Sequence, residues 1–479
     1  MALTLRVWVV SNIRWSRRPL LGAISPYPSL NLKLSSLSDA KLSCVLDTEC
    51  DDFLPWLERK AGTEISSVLS IGKSEHGSIR AEHRAPFASR VIRTGDCILR
   101  VPYNAQLASD NLPPEINTLI GDGIGNIAKL AIVVLLEKKS GGDSDWAPYI
   151  SRLPHPWEMH NTIFWSEDEL EMIRQSSLYW ETINQKFLIE KEYLAIRQAI
   201  EHIPGVSETI AYKNFMHAYA LVVSRAWGSM KGVSLIPFAD FLNHDGTSEA
   251  FVLNDDNKQL SEVVADRNYS PGEQVLIRYG KFSNVTLLLD FGFTVPHNIH
   301  DQVQIQFNIP NHDPLRTMKL EILQKHHVAI NKDVCGFDSS MDSFTIKEVR
   351  SANGKGKGIP QSLRAFGRVL SCVSPQELSD LVKEAEENDG RLARRPLRKI
   401  SREIEAHKIL IARIMRLVEE YEASIESLVL GSSSFACERL ALRRRMAWDL
   451  LNGELRVLKS ASAWLKNYCT ALTMTGSNQ

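Results

Sequence analysis

Three features that would each define a class of protein are missing from this sequence of 479 residues. No run reaches the roughly 18 apolar residues that a membrane-spanning helix needs, so we expect no membrane contact. The formal net charge of −1 gives no reason to expect nucleic-acid binding. None of the seven cysteines is paired at Cys-x-x-Cys spacing, which argues against a disulfide scaffold and structural zinc. We therefore expect no bound metal.

Acidic residues are missing from the first 38 positions, which carry Arg6, Arg14, Arg17, Arg18 and Lys33. Serines and prolines lie among these basic residues. This composition is typical of an organelle transit peptide. We assign residues 1–45 to such a peptide, with a disordered N-terminus as the alternative. Composition alone separates plastid from mitochondrial targeting poorly.

The rest of the chain is long enough for two or three domains, since a domain commonly has ~100–200 residues. A first short helix is predicted over Thr48–Lys60. Val91–Val101 predicts a strand, a turn and a second strand. Strand-like runs return over Ser234–Gly292. Between these β-like parts the apolar residues follow helical spacing. The predicted helices are Ile127–Lys139, Glu167–Ser176, Phe187–Ile203 and Asn214–Ala226.

A long amphipathic helix is predicted from Ile404 to Leu428, where apolar residues recur at alternating spacings of three and four. Gly431–Ser434 ends it, and a final helix is predicted over about Cys437–Tyr468. The apolar stripe favours packing within a helical domain over a homodimeric coiled coil, so we expect a monomer. The fold class is predicted to be α+β, with a β-rich part, a helical insert and an all-α C-terminal lobe.

Two motifs carry the chemistry. Asn243-His244 ends the apolar run Leu235–Leu242, and about thirty residues later Gly272-Glu273 leads through a β-like segment to Tyr279. Polar groups at the end of a buried strand can hold a purine-bearing ligand. The tyrosine can then present its hydroxyl to a reacting centre.

In this order and spacing the motifs resemble those of the SET-domain protein methyltransferases, which read Asn-His-(Ser) and Gly-Glu-x-x-x-x-x-Tyr. Ser224–Trp227 precedes the first motif, and Ser283-Asn284 and Asp290–Phe293 follow the second. This arrangement is similar to the plant Rubisco large-subunit methyltransferase branch. The resemblance covers most of the chain from about Ala61 onward.

The resemblance implies a domain plan and a cofactor. A β-rich SET catalytic domain is expected at 46–295, interrupted by a helical insert at about 105–225. An all-α substrate-binding lobe is expected at 300–479. The cofactor is expected to be S-adenosylmethionine.

Methyl transfer to a lysine requires a neutral amine. Free lysine has a pKa near ~10.4, so the neutral form costs about 4–5 kcal/mol at pH 7. A desolvated channel and the positive sulfonium of the cofactor both lower that pKa, and no dedicated base is required. Tyr279 matches the essential tyrosine of the family and is predicted to be catalytic. Its uncharged, preorganised hydroxyl suits stabilisation of the partly positive methyl group.

The cofactor-binding residues follow from the resemblance. Asn243 and His244 match the cofactor-binding pair, whose contacts to the adenine come largely from the backbone. Asp96, Cys97 and Ile98 match the segment that lies along the cofactor. Asp96 stands where the family usually has Glu, which keeps the carboxylate and shortens its reach.

Arg225, Asp240 and Phe291 are the predicted substrate-binding residues. Arg225 and Asp240 match positions that line the substrate or cofactor side, with a structural ion pair as the alternative. Phe291 stands where the branch has a second Tyr that lines the lysine channel. Asp245 replaces the commoner Ser after Asn-His. The loop Ser74–Ala88 departs from the Gly-x-Gly turn of the family and keeps only one of its glycines.

These features predict a protein-lysine N-methyltransferase that acts on a non-histone protein. The alternatives are a protein-histidine methyltransferase, since the branch is related to one acting on actin, and a SET-fold binding protein with weakened catalysis. The resemblance favours the chloroplast stroma as the location, with the mitochondrion as the alternative. The Rubisco large subunit or another plastid enzyme is then the candidate substrate.

Overall fold

The computed structural model describes residues 52–74, 83–201, 203, 210–229, 232–326, 342–351, 354–387, 389–430 and 437–476. The chain forms two compact units. The first unit contains residues 1–152 and 225–278, and the second contains residues 153–224 and 279–479. The predicted transit peptide and the linker Gly431–Ser434 lie outside the described residues. None of the described helices combines the length and the apolar character needed to cross a membrane.

The first unit is built from short strands, whose described members form four small sheets. Pairing is antiparallel within β1-β2, β3-β9-β8 and β4-β6-β5, and parallel between β7 and β10. The strands are β1 (Leu69–Ser74), β2 (His83–Ala88), β3 (Cys97–Pro102), β4 (Leu107–Ala108), β5 (Ala226–Ser229), β6 (Gly232–Leu235), β7 (Asn243–His244), β8 (Val252–Asp255), β9 (Leu260–Val264) and β10 (Leu276–Ile277).

Four helices accompany these strands: α1 (Phe53–Ala61), α2 (Pro114–Ile120), α3 (Asn126–Ser140) and α4 (Ala147–Ile150). The central part of α3 is buried on every side from Ala128 to Leu135, as expected for a helix that is apolar all round apart from Lys129, whose Nζ donates to Asn117. The predicted helices at Thr48–Lys60 and Ile127–Lys139 correspond to α1 and α3.

The second unit is mainly helical. The predicted Phe187–Ile203 helix begins ten residues earlier, at Ser177, because the hydroxyl of Ser176 accepts a hydrogen bond from the Leu178 amide. The long amphipathic helix is confirmed as α12. The helices are α5 (Glu167–Glu171), α6 (Ser177–Ile200), α7 (Tyr212–Arg225), α8 (Asn284–Thr286), α9 (Arg316–Lys325), α10 (Gln361–Ser371), α11 (Pro375–Glu387), α12 (Ile400–Leu430) and α13 (Glu438–Gly476).

The predicted helical C-terminal lobe is confirmed, but it is not all-α. An antiparallel hairpin of β11 (Gln302–Phe307) and β12 (Asp342–Lys347) lies within 300–479. Val303, Ile305 and Phe307 are buried and alternate with glutamines, which is the two-residue period of a half-buried strand. The hairpin contributes to the same apolar core as α10, α12 and α13.

One buried ion pair lies inside this helical core. Arg368 Nε and Nη2 donate to the two carboxylate oxygens of Glu403 at 2.9 and 2.6 Å. Both side chains are 1% exposed. The pair shows how this unit accommodates a buried guanidinium: a carboxylate accepts from both nitrogens of one edge.

Candidate functional site

The two sequence motifs meet through a parallel strand pair in the first unit. Asn243 lies opposite Leu276 and His244 opposite Ile277. The Asp245 amide extends the pairing by donating to the Ile277 carbonyl at 2.9 Å. The strand β10 therefore lies beside Asn-His, and Tyr279 follows it by two residues in the sequence.

The chain reaches Asn243 through a tightly turned, buried segment. Phe238 adopts a φ of 74°, in the left-handed region that a bulky residue rarely enters. A 3-10 turn, Ala239–Phe241, follows, and all three of its residues are buried. Asn243 and His244 then emerge half-buried. This geometry leaves two polar residues at the surface end of an apolar segment.

Asp245 has a local structural role. Its carboxylate accepts hydrogen bonds from the amide and hydroxyl of Thr247 at 2.8 and 2.7 Å. This Asx-type arrangement shapes the loop that leaves β7. The carboxylate of Asp245, which replaces the usual Ser, therefore accepts these hydrogen bonds within its own turn.

The Asp96–Ile98 segment begins β3, which pairs with β9. Asp96 is exposed, and its carboxylate accepts from the Arg93 amide at 2.8 Å. Cys97 is half-buried, and burial raises the pKa of its thiol while Arg100 acts against that rise. Ile98 is a core residue, 1% exposed. Their assignment to cofactor binding stays a prediction.

Arg225 and Asp240 form the ion pair that was the alternative to a functional role. Arg225 Nη1 lies 3.2 Å from the Asp240 carboxylate and donates to the Asp240 carbonyl at 2.9 Å. The hydroxyl of Tyr149 donates to the same carboxylate at 2.8 Å. Burial raises the pKa of Asp240, and Arg225 and Tyr149 act against that rise.

One oxygen of this carboxylate is left over. Asp240 Oδ1 has no hydrogen-bond partner within the described part of the chain. The ion pair is therefore compatible with a further contact at Oδ1. Sequence reasoning missed Tyr149, which lies 91 residues from Asp240 along the chain and carries no local signal.

Tyr279 lies in an aromatic cluster of the second unit. Its ring centroid is 5.2 Å from that of Phe291 and 6.4 Å from that of Phe293. Phe282 also stacks on Phe291, with ring centroids 5.7 Å apart. Tyr279 and Phe291 are both half-buried. The predicted catalytic residue and one predicted substrate-binding residue are thus in contact.

Phe291 is positioned by a π-helical turn that sequence reasoning did not anticipate. The turn, Leu287–Phe291, ends at Gly292 with a φ of 79°. The Asn161 side-chain amide donates to the carbonyls of Leu289 and Asp290 at 3.1 and 2.8 Å. A Cβ on Gly292 would lie 2.9 Å from the backbone nitrogen of Asn161. The glycine of Asp-Phe-Gly-Phe is therefore required both for its φ and for space.

Residues 75–82 of the altered Ser74–Ala88 loop lie outside the described residues. Its flanks are regular: β1 and β2 pair antiparallel from Leu69 opposite Ala88 to Ser74 opposite His83.

Comparisons with known proteins agree with this architecture. Residues 310–458 match the family model described as Rubisco LSMT substrate-binding. An actin-histidine N-methyltransferase from Gallus gallus is 26% identical over 446 residues, covering 88% of this chain and 70% of that protein. Its Homo sapiens counterpart is 25% identical over 445 residues, covering 88% and 69%.

Solved structures give the same fold. A structure of Rubisco LSMT bound to sinefungin and monomethyllysine has a TM-score of 0.68 at 22% identity, covering 90% of this chain and 94% of that one. The SET domain of LSMT bound to lysine and AdoHcy has a TM-score of 0.65 at 21% identity, covering 89% and 92%.

These observations show that the chain has the fold of the SET-domain methyltransferases, which is of the α+β class. The predicted resemblance to the Rubisco large-subunit methyltransferase branch is confirmed by the substrate-binding match and the structural matches. Two of the similar solved structures were determined with AdoHcy or AdoMet bound.

Proposed function

We propose that this protein is an S-adenosylmethionine-dependent protein-lysine N-methyltransferase that acts on a non-histone protein. The observation that carries the proposal is the parallel pairing of Asn243-His244 with the strand that leads to Tyr279. Both signature motifs are therefore present in the expected order, and a strand pair connects the first motif to the segment that leads to Tyr279.

The residues present fit the cofactor. Asn243 and His244 offer half-buried polar groups at a strand end, which suits a purine. When bound, S-adenosylmethionine supplies a methyl group on a positive sulfonium. The role of this chain is to align the acceptor nitrogen and keep it neutral. The aromatic rings around Tyr279 supply an apolar wall beside its hydroxyl, which stabilises charge that develops during transfer.

Lysine is the first candidate acceptor. Asp290–Phe293 follows the lysine-methylating branch apart from Phe291, and three of the similar solved structures were determined with lysine or methyllysine. Phe291 fills the channel position and removes one hydrogen-bonding hydroxyl. Phe291→Tyr should therefore shift the distribution of mono-, di- and trimethylated product, which mass spectrometry of a methylated substrate would measure.

Histidine is the second candidate acceptor, because the similar curated sequences are actin-histidine N-methyltransferases. An imidazole with a pKa near ~6.5 is largely neutral at pH 7 and needs less assistance to lose its proton. A flat ring also suits a site flanked by Phe291 and Phe293. Actin is then the substrate to test first.

The substrate we propose is a protein of the plastid stroma, with the Rubisco large subunit as a specific candidate and the mitochondrion as the alternative location. The weakened binding protein remains the rival, supported by Phe291 and by the loss of a glycine in the 74–88 loop. The methyltransferase proposal requires that the chain bind the cofactor, and absence of binding at millimolar S-adenosylhomocysteine would favour the weakened binding protein.

The test combines binding and labelling. The purified protein is titrated calorimetrically with S-adenosylhomocysteine, then incubated with labelled S-adenosylmethionine and plastid extract, Rubisco large subunit or actin. A labelled band in the wild-type reaction, missing with Tyr279→Phe, is the expected result. Mass spectrometry of that band identifies lysine or histidine. Cofactor binding without any labelled band in these three samples would favour the binding protein.

A further inference from the structure

One buried side chain ties together the two ends of the segment that carries Phe291. Asn284 is 1% exposed, and its side-chain amide forms two hydrogen bonds with the backbone of Val295. Its Nδ2 donates to the Val295 carbonyl at 3.0 Å, and its Oδ1 accepts from the Val295 amide at 2.8 Å. Phe293, whose ring lies beside Tyr279, precedes Val295 by two residues. Asn284 therefore fixes the chain on both sides of the π-helical turn.

Asp301 in turn holds the backbone of Asn284. The Asp301 side chain is buried, and its Oδ1 accepts from the Asn284 backbone nitrogen at 3.0 Å. Asn298, three residues earlier, donates from Nδ2 to the Phe282 carbonyl at 2.9 Å. These two residues close one turn, in which the Asp301 amide donates to the Asn298 carbonyl at 3.2 Å. Side chains at both ends of this Asn298–Asp301 turn therefore hold the backbone just before the π-helical turn.

Packed rings connect this backbone, residues 282–284, to Tyr279. A Cβ on Gly280 would lie 2.2 Å from the Phe282 ring, which shows that the ring lies against the residue directly after Tyr279. The same ring stacks on Phe291, whose centroid is 5.2 Å from that of Tyr279. Close packing transmits small displacements, because packed side chains have little free volume to absorb them. A shift of this backbone would therefore move the rings beside Tyr279.

Helix α13 packs directly on Asp301. A Cβ on Gly453 would lie 2.1 Å from Asp301 Oδ2, so glycine is required for this approach. Glycine is otherwise unfavourable inside a helix, which indicates that close packing is the reason for its presence here. Arg456, three residues further along α13, donates from Nη2 to the Asn298 carbonyl at 2.7 Å and lies 3.4 Å from Asp301 Oδ2. The Asn298–Asp301 turn therefore contacts both α13 and the segment that leads from Tyr279.

We propose that Asp301 is a positioning residue for Tyr279. By fixing the Asn284 backbone, its carboxylate keeps the neighbouring aromatic rings in place beside Tyr279. Helix α13 shares this role, because a displacement of Gly453 or Arg456 displaces Asp301. The helix thereby connects the part of the chain that matches the substrate-binding family model to the predicted catalytic residue. The role of Tyr279 in methyl transfer rests on the proposed function; the effect of Asp301 on the rings does not.

The test places one fluorine in the aromatic cluster. Phe291 of the full-length protein is replaced by 4-fluorophenylalanine, whose fluorine NMR signal reports on the rings packed around it. Asp301→Ala removes the acceptor for the Asn284 amide and should shift this signal by more than its linewidth. Asp301→Asn keeps an oxygen acceptor and should shift the signal less. Gly453→Ala forces Asp301 away from α13 and should shift the signal as well.

Matched controls come from the same unit. Glu403 is a buried carboxylate that likewise accepts from a backbone amide, that of Leu397, and from an arginine, Arg368. Glu403→Ala should lower the melting temperature and leave the fluorine signal unchanged. Gly367 is a helical glycine whose added Cβ would lie 3.0 Å from a backbone oxygen of α12, so Gly367→Ala is the control for the glycine substitution in α13. If Asp301→Ala does not fold, Asp301→Asn and Glu403→Gln make the same comparison.

A folded Asp301→Ala protein with an unchanged fluorine signal overturns the inference, and so does an equal change in Glu403→Ala, which would indicate general loosening of the unit. Turnover supplies a second measurement once a methyl acceptor is identified. Asp301→Ala should then lower kcat by about 10–10²-fold, the effect of misplacing a reacting group, and leave the Kd for S-adenosylhomocysteine unchanged. An unchanged kcat would show that Asp301 does not position Tyr279.

The two proposals fail separately. An altered fluorine signal in Asp301→Ala without any methylation by the wild type would count against the methyltransferase proposal and leave the effect of Asp301 on the rings intact. Methylation by the wild type with an unchanged fluorine signal in Asp301→Ala would do the reverse.

Discussion

Replacing Glu454 with glutamine should remove much of the pH dependence of the stability of the second unit. Glu454 is buried, 1% exposed, and lies on α13. The hydroxyl of Ser176 approaches Oε1 at 3.0 Å, and the hydroxyl of Tyr421 approaches Oε2 at 3.2 Å. Tyr421 has a single proton and also lies 2.9 Å from the Gln175 carbonyl. The arrangement is fully satisfied when Glu454 carries a proton and donates it to the Tyr421 oxygen.

Burial raises the pKa of Glu454 from its usual 4.5 to about 8. Between these values the unfolded chain releases the proton and the folded chain keeps it, so stability falls as the pH rises. The contribution is fully present below pH 4.5 and is lost by about pH 8. At about 1.4 kcal/mol per pKa unit the upper limit is about 5 kcal/mol, and roughly half of that if water enters around the carboxylate.

The measurement is urea unfolding of wild type and Glu454→Gln at pH 5, 7 and 8.5. The glutamine amide can donate to Tyr421 as the protonated acid does, so the two proteins should be similar at pH 5. By pH 8.5 the variant should be the more stable by about 2–5 kcal/mol. Asp301, whose pKa burial raises to about 6, contributes to both proteins and largely cancels in the difference.

Glu419→Gln, an exposed position on α12, is the matched control and should leave the pH profile unchanged. Parallel stability curves for wild type and Glu454→Gln would refute the argument, because they would show that Glu454 ionises alike in the folded and unfolded chain.

Three further predictions concern the candidate site. Tyr279→Phe should lower kcat by about 10²-fold or more without changing the Kd for S-adenosylhomocysteine, because the hydroxyl acts mainly in the transition state; an unchanged kcat would remove Tyr279 from the mechanism. Asn243→Ala should weaken S-adenosylhomocysteine binding by about 1–3 kcal/mol in calorimetry, the cost of an unsatisfied polar partner; unaltered affinity would exclude the Asn243 side chain, but not its backbone, from cofactor binding. Arg225→Met should destabilise the first unit by about 3–5 kcal/mol in urea unfolding, since it leaves the buried Asp240 carboxylate without its cation; a smaller loss would indicate that Asp240 takes up a proton instead.

Much of the fold could be predicted because its signals are local. The three-and-four spacing from Ile404 to Leu428 is sustained over the length of α12, and a helix is the structure that places those residues on one face. The hairpin of β11 and β12 was missed although Gln302–Phe307 alternates strictly. The resemblance implied a helical lobe there, and one short alternating run did not outweigh it.

The candidate site was only partly predictable. Motif order identified Asn243, His244 and Tyr279, yet β7 and β10 are two residues long each, too short for any periodicity to show. Asn161 contacts the π-helical turn across 128 residues of sequence. Contacts over such separations depend on tertiary packing, and nothing in the residues near Asn161 indicates its partner.

The brevity of the β7–β10 pair affects how easily this part of the first unit opens. Its two segments are about thirty residues apart, so closing them costs chain entropy, which is repaid by two residue pairs, the Asp245–Ile277 bond and the hydrogen bond from the Arg278 amide to the Ala250 carbonyl. Such a pair opens with less free energy than the whole unit. The Asp245 amide, bonded to Ile277, should therefore exchange its hydrogen for deuterium early. A purine-bearing ligand on Asn243-His244 would stabilise the β7–β10 pair. Its binding would be visible as slowed hydrogen exchange at the Asp245 amide, without any turnover.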